Sequence, residues 1–167
     1  MNRRTLFLGF AVTAILIAAI SLNVGMTNAQ GNGITALATG SGQITRGGEL
    51  RTFSFTAQRD SSNNSSGQAE LFNRASGVRI HMQLDCLNVA GNVATMSGKV
   101  TEANAAGSGF IGNPAWFRVV DNGEGAGAPP DLISLVAVFF GSPGVPCTDG
   151  TVTPANIPIE DGNIQVH

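Results

Sequence analysis

The residues best suited to chemistry lie in VRIHMQLDCLNV, residues 78–89, which holds a histidine, an aspartate and a cysteine within six positions. An imidazole near a carboxylate is a typical pair for proton transfer. Here, however, apolar and polar residues alternate strictly, and that period predicts a strand. At about 3.3 Å per residue, His81 and Asp85 would share a face but lie about 13 Å apart. They cannot hydrogen-bond, so the stretch is interpreted as a half-buried strand.

Other signs of catalysis are weak. The serine-rich residues 61–66 contain no glycine-flanked nucleophile elbow, and the chain has no tyrosine. His81 has no positioned acid or nucleophile in its local sequence. No catalytic residue is assigned, although partners distant in sequence would permit a small hydrolase as the least favoured alternative.

The acidic loop DNGEGAGAPPD, residues 121–131, is a candidate calcium site. Its carboxylates are Asp121, Glu124 and Asp131. Calcium takes six to eight oxygen ligands, and a glycine-rich acidic loop between strands supplies several. The spacing differs from the helix-flanked calcium loop, so the alternative is a structured turn in which Asp121 and Asn122 bond nearby backbone amides. No other cofactor is predicted.

Two cysteines, Cys86 and Cys147, are predicted to form a disulfide. The bond would close a loop of roughly 60 residues and stabilise the chain by about 4 kcal/mol in the chain-entropy model. Strand alternation is expected to point Cys86 toward the core together with Leu84. A metal site is a poor alternative, because no ligand spacing surrounds Cys147.

The first 29 residues have the order of a secretory signal peptide: two arginines, an apolar run from Leu6 to Leu22, and small residues ending at Ala29. A retained membrane anchor is the alternative, since the run approaches the roughly 17 residues needed for a span. We expect a secreted or cell-surface protein that meets the membrane only through this transient segment.

The charge of the exported part argues against nucleic acid as a partner. Loss of Arg3 and Arg4 takes the basic residues from 9 to 7 against 11 acidic ones, a net charge of 7 − 11 = −4. No basic stripe remains to neutralise phosphates.

Residues 30–167 are predicted to form a single all-β domain. Turn residues separate segments of strand-like alternation, and the most apolar segment, residues 131–141, is expected to be a strand buried on both faces. The final NIQVH is expected to pair with the first strand. About eight strands in an antiparallel meander would form a closed barrel, slightly favoured, or a two-sheet sandwich. The predicted segments are 34–45, 49–58, 68–74, 78–89, 93–101, 114–122, 131–141 and 163–167.

Several motifs resemble the post-COAP (post choice-of-anchor) domain family of secreted bacterial proteins. They are the Gly91-Asn92 turn within GVRIHMQLDCLNVAGNVATMSG, the DNGEG of residues 121–125 and the terminal GNIQVH. The resemblance covers almost the whole exported chain and implies a β-rich domain outside the cell. It implies no reaction.

The function predicted from these observations is a secreted, non-catalytic β-domain with a binding or structural role at the cell exterior, its partner unknown. The alternative is a β-barrel that binds a small apolar ligand. That alternative requires an inner cavity of some hundreds of Å³, which Phe53, Phe55, Trp116 and Phe139 would remove if they filled the interior.

Overall fold

The alternating segments of the sequence form long strands in a computed structural model that describes residues 33–125, 127–150, 152 and 154–167. The predicted signal peptide, residues 1–29, lies outside the described residues. None of the helical segments in these ranges has the length and hydropathy required to span a membrane. The strands are β1 (Ile34–Arg46), β2 (Glu49–Asp60), β3 (Ser65–Asn73), β4 (Arg79–Ala90), β5 (Val93–Ala103), β6 (Pro114–Val120), β7 (Leu132–Ser134), β8 (Ala137–Val138), β9 (Asn156–Pro158) and β10 (Asp161–Val166), with one 3₁₀ helix, η1 (Ala105–Phe110).

All the strand pairs are antiparallel and belong to one sheet. The order is β10-β1-β2-β3-β4-β5-β6-β7-β9, and β8 pairs with β6 off this path. The sheet curls into a half-barrel. The all-β, antiparallel prediction is confirmed, and the first six strands form the predicted meander.

The C-terminal strand pairs with the first strand, as the sequence predicted. Its register runs from Gln43 opposite Asp161 to Ala38 opposite Val166. Beyond the strand, the amides of Leu37 and His167 each donate to the other's carbonyl at 2.8 Å. The end of the chain therefore covers the outer edge of β1.

The hydrophobic core lies on the concave, inner face of the sheet. Strand alternation places Arg51, Phe53, Phe55 and Ala57 of β2 on this face, as predicted, and the last three are buried. The rings of Phe55 and Phe117 meet edge to face with centroids 5.6 Å apart. The remaining buried core residues are Ala36, Ala38, Ile44, Ala69, Ile80, Met82, Leu84, Leu87, Ala94, Met96, Val100, Ala115, Val119, Ile133, Ile157, Ile159 and Ile164.

A β-bulge in β4 corrects the predicted orientation of Cys86. Leu84 pairs with Gly98 but Cys86 pairs with Ser97, so Asp85 is the extra residue. The bulge interrupts the alternation of buried and exposed residues: the next buried residue after Leu84 is Leu87. Cys86 therefore lies on the outer face. Gly98 permits this close approach, because a Cβ there would lie 2.0 Å from the carbonyl oxygen of Gln83.

The segment 131–141 is not the single, doubly buried strand that its composition predicted. It forms two short strands separated by Leu135 and Val136. Ser134 interrupts the ladder, because its hydroxyl accepts from the Arg118 amide at 2.9 Å and donates to the Leu135 carbonyl at 3.0 Å. Phe140, near the end of the segment, is 61% exposed.

Candidate functional site

An apolar pocket of about 250 Å³ opens at the end of the half-barrel that holds the β1–β2 and β3–β4 turns. Most of its wall is hydrocarbon, which suits an apolar group rather than a sugar or an ion. The polar residues of the wall are Arg51, Thr52, Asn73 and Ser134. The apolar ones are Ile44, Phe53, Leu71, Phe72, Val78, Ile80, Phe110, Ile133, Leu135, Val136 and Val138.

The pocket exists because the sheet is long on one side and interrupted on the other. Phe53 and Leu71 pair across β2 and β3 and supply one wall. The opposite wall comes from the break between β7 and β8, where Val136 and Val138 pack against the core. Leu135, at the break, is 40% exposed although it lines the pocket. Aromatic rings fill the middle of the half-barrel, so the cavity is confined to one end.

A polar cluster marks the mouth of the pocket. Arg51 and Asn73 face each other across β2 and β3. The carboxylate of Glu49 joins them, since it forms a salt bridge with Arg51 and accepts from Asn73 Nδ2 at 3.0 Å. Arg51 Nη1 also donates to the carbonyl of Arg46 at 2.9 Å. The arginine is 22% exposed, and its guanidinium is fixed by Glu49 and the Arg46 carbonyl beside an apolar wall.

Two further arginines flank the ring of Phe72, which register places on the outer face of β3 opposite Arg79. The guanidinium carbon of Arg79 lies 4.7 Å from the centroid of Phe72, and that of Arg74 lies 5.5 Å from it, both within cation–π range. Arg79 also pairs with Glu70 at 3.5 Å. Within the described residues, neither Arg46 nor Arg74 has a carboxylate at ion-pair distance.

The histidine that opened the sequence analysis has an acid partner on the next strand. His81 Nε2 lies 2.6 Å from Glu70 Oε2 on the outer face, and Ser54 is opposite Glu70 on the other side. From β2 to β4, the outer face therefore carries a serine, a carboxylate and an imidazole in that order. Strands are about 4.8 Å apart, so His81 is about 10 Å from Ser54 and cannot take its proton. The geometry does not form a nucleophile–base pair.

The pairing of Glu70 with His81 could have been predicted from the β3–β4 hairpin. Residues 70 and 81 are equidistant from the Arg74–Gly77 turn, so pairing the two predicted strands about that turn places Glu70 opposite His81. The pair has no signal within a single strand, because the two residues are eleven positions apart in the sequence.

The three carboxylates of the acidic loop all contact the last strand. Asp131, which is 5% exposed, accepts from the amides of Asn122 and Ile164, both at 2.8 Å. Asp121 accepts from the amides of Gly123 at 2.8 Å and Val166 at 3.0 Å. Glu124 accepts from Asn163 Nδ2 at 2.7 Å.

Of the predicted turn contacts, Asp121 accepts from the nearby Gly123 amide, whereas the Asn122 side chain donates to the Pro130 carbonyl at 2.6 Å instead of bonding an amide. All four carboxylate oxygens of Asp121 and Asp131 already accept a backbone amide. Within the described part of the chain, no group of three or more His, Cys, Asp or Glu side chains is placed to hold a metal ion. Calcium binding by Asp121, Glu124 and Asp131 stays a prediction.

The disulfide between Cys86 and Cys147 is present, with the two Cα atoms 5.7 Å apart. It fastens residues 139–150, here called the outer strap, to the outer face. Cys86, Ser97 and Trp116 form a row across β4, β5 and β6. Trp116 faces away from the core, because its neighbours Ala115 and Phe117 belong to the core, yet it is only 1% exposed. The strap therefore buries a second, smaller apolar layer.

Comparison with known proteins adds no relative: no family model, no curated protein and no solved structure matches the chain.

Proposed function

We propose that this chain is a non-catalytic binding domain of the cell exterior, and that its pocket takes a small apolar group. The observation that carries the proposal is the apolar wall of the 250 Å³ cavity. Pockets that bury drug-sized ligands have volumes of about 300–1,000 Å³, so the occupant is smaller than a drug-sized molecule. Of the two binding hypotheses drawn from the sequence, the pocket favours the apolar ligand.

The interior supports this proposal because the aromatic residues expected to fill it leave one end of the half-barrel open. Trp116 is on the outer face beneath the strap. Phe55 packs against Phe117 in the middle, whereas Phe53 lines the pocket itself. The non-catalytic part of the proposal is supported by the order of Ser54, Glu70 and His81 across the sheet, because Glu70 separates the serine from the histidine.

We also propose membership of the post-COAP family and a closed barrel. The first is supported by the motifs quoted above. The second is supported by β9 and β10, which stand at opposite ends of the sheet order but are joined by only two residues. Asp121 and Asp131, which flank the loop between β6 and β7, also bond to β10, since they accept from the amides of Val166 and Ile164, respectively. The disulfide is the structural feature that supports a location outside the cytoplasm.

Calorimetric titration of the purified chain with octanol tests the binding proposal. Eight buried methylene-sized groups at about 0.8 kcal/mol each give about 6.4 kcal/mol, which corresponds to a dissociation constant of about 20 µM. Val136→Phe should weaken binding at least tenfold, because the added ring occupies the cavity. Thr56→Phe is the matched control, since it adds the same ring on the exposed outer face of β2.

Two results would count against the proposal. One is the absence of any heat of binding with a folded wild-type chain. The other is equal octanol affinity in the Val136→Phe and Thr56→Phe variants, which would place the alcohol outside the cavity.

A further inference from the structure

Arg51 is the only charged residue among those that line the pocket in the described part of the chain. Alternation along β2 places its side chain on the inner face with that of Phe53, and turns the side chain of Thr52 to the outer face. The hydroxyl of Ser134 already accepts from one backbone amide and donates to one carbonyl. The polar side chains that remain for a ligand in the pocket are therefore those of Arg51 and its cross-strand neighbour Asn73.

The guanidinium of Arg51 is held by the β1–β2 turn but keeps free donors. Nη1 donates to the carbonyls of Arg46 at 2.9 Å and Glu49 at 3.3 Å, and Nη2 donates to the carboxylate of Glu49. Arginine has five N–H donors. Among the described residues, no acceptor lies at hydrogen-bond distance of Nε or of the second N–H of Nη2. Nε is not enclosed, since the buried side-chain nitrogens without a partner in these ranges belong to Arg59 and Trp116.

The positive charge of Arg51 is balanced by the carboxylate of Glu49, with which it forms a salt bridge. A carboxylate head that approached Arg51 would also approach Glu49, and an ammonium head would meet a guanidinium that can only donate. Either ion would in addition lose hydration beside the apolar wall. An uncharged acceptor avoids both costs and still uses the free N–H groups.

We propose that the ligand carries an uncharged carbonyl oxygen that accepts from Arg51, with its hydrocarbon part against the apolar wall. This inference rests on the proposed function and names its ligand class: a small ketone, aldehyde, ester or amide. A carbonyl oxygen has two lone pairs and no proton of its own, so it matches a site that offers donors. Arg51 is then the residue that determines specificity for the head, and the wall accepts the rest.

The first experiment compares three eight-carbon compounds by calorimetry: methyl hexyl ketone, octanoate and octylammonium. At about pH 7.5 the carboxylate and the ammonium are both charged. We expect the ketone to bind the wild-type chain at least about fivefold more tightly than either ion, because only the ions lose a full charge's hydration.

The second experiment removes the donors. The variant Glu49→Gln/Arg51→Met replaces both members of the pair, so that no carboxylate is left without its partner. It should weaken methyl hexyl ketone about fivefold or more, because a hydrogen bond from a charged donor is lost. Cyclohexane has no acceptor, and its affinity should stay within about twofold of the wild-type value if the apolar wall is intact.

The third experiment removes only the balancing charge. Glu49→Gln leaves Arg51 with a net positive charge, so octanoate should gain about fivefold in affinity while the ketone changes less than about twofold. The gain should decrease as salt is raised. Glu102→Gln is the matched control, since it removes a carboxylate from an exposed position of β5 that lies opposite His81. It should leave the affinity for octanoate unchanged.

Each contrary outcome overturns a defined statement. An ion that binds the wild-type chain as tightly as the ketone would refute the uncharged head and leave the apolar pocket intact. Equal losses of ketone and cyclohexane in the double variant would refute the contact with Arg51, because the pair would then support the cavity itself. An equal gain of octanoate in Glu102→Gln would refute the balancing role of Glu49. If neither cyclohexane nor the ketone binds the folded wild-type chain, the proposed function fails as well.

Discussion

Removal of the disulfide should destabilise the protein and expose its single tryptophan. The perturbation is the double variant Cys86→Ser/Cys147→Ser. The two cysteines are 61 residues apart, and in the chain-entropy model a loop of that length contributes about 4 kcal/mol. A domain is typically stable by about 5–15 kcal/mol, so the variant should still fold but with a large loss.

The loss should be visible as a fall in melting temperature. For a domain of this size, about 4 kcal/mol corresponds to a decrease of roughly 10–20 °C. The wild-type chain treated with a reductant should match the variant. The variant treated with the same reductant is the control and should not change further.

The local effect can be read from one fluorophore, since the chain contains one tryptophan and no tyrosine. Trp116 lies in register with Ser97, which in turn is opposite Cys86. Without the bond, the contacts left to residues 139–150 include the Phe139 amide, which donates to the Pro114 carbonyl at 2.9 Å, and the Phe140 ring, which lies 5.6 Å from that of Phe110. Trp116 emission should move to longer wavelength, and acrylamide should quench it more strongly, well below the unfolding transition.

A variant with unchanged tryptophan emission and quenching would show that the strap does not depend on the disulfide to cover Trp116. A decrease in melting temperature of less than about 3 °C would refute the loop-closure reasoning. The two results are independent, because the first concerns the strap and the second concerns the unfolded chain.

Three other predictions concern the strands and the acidic loop. Deletion of residues 163–167 should lower stability by several kcal/mol at most and promote aggregation, because the edge of β1 is reopened; a monomeric product with an unchanged melting temperature in light scattering and calorimetry would contradict this. Asp131→Asn should lower the free energy of unfolding in urea by about 1–3 kcal/mol, because the side-chain nitrogen of asparagine cannot accept a hydrogen bond from one of the two backbone amides. The control Glu124→Gln, at an exposed position of the same loop, should change stability by less than about 1 kcal/mol. Gly98→Ala should destabilise by about 2 kcal/mol or more, since the new Cβ meets the backbone, whereas Gly109→Ala, which meets nothing within 4 Å, should be nearly neutral in the same assay.

The strands and their faces were largely readable from the sequence. Alternation in β2 predicted the inner placement of Phe53, Phe55 and Ala57, and the hairpin turns predicted which strands pair. These features depend on residues close in sequence, and the side chains of a strand alternate strictly between faces. The partner of the terminal strand was also predictable, since an unpaired edge is unfavourable wherever it lies.

The features that depend on contacts between distant segments were decided only by the tertiary structure. The bulge at Asp85 reversed the expected direction of Cys86, and the close approach it makes is permitted by Gly98 on another strand. Ser134 broke an apolar run that appeared suited to one buried strand, because its hydroxyl meets an amide of β6. The pocket has no local signature, since its wall is assembled from strands far apart in the chain, and a cavity is defined by what the packed side chains leave empty.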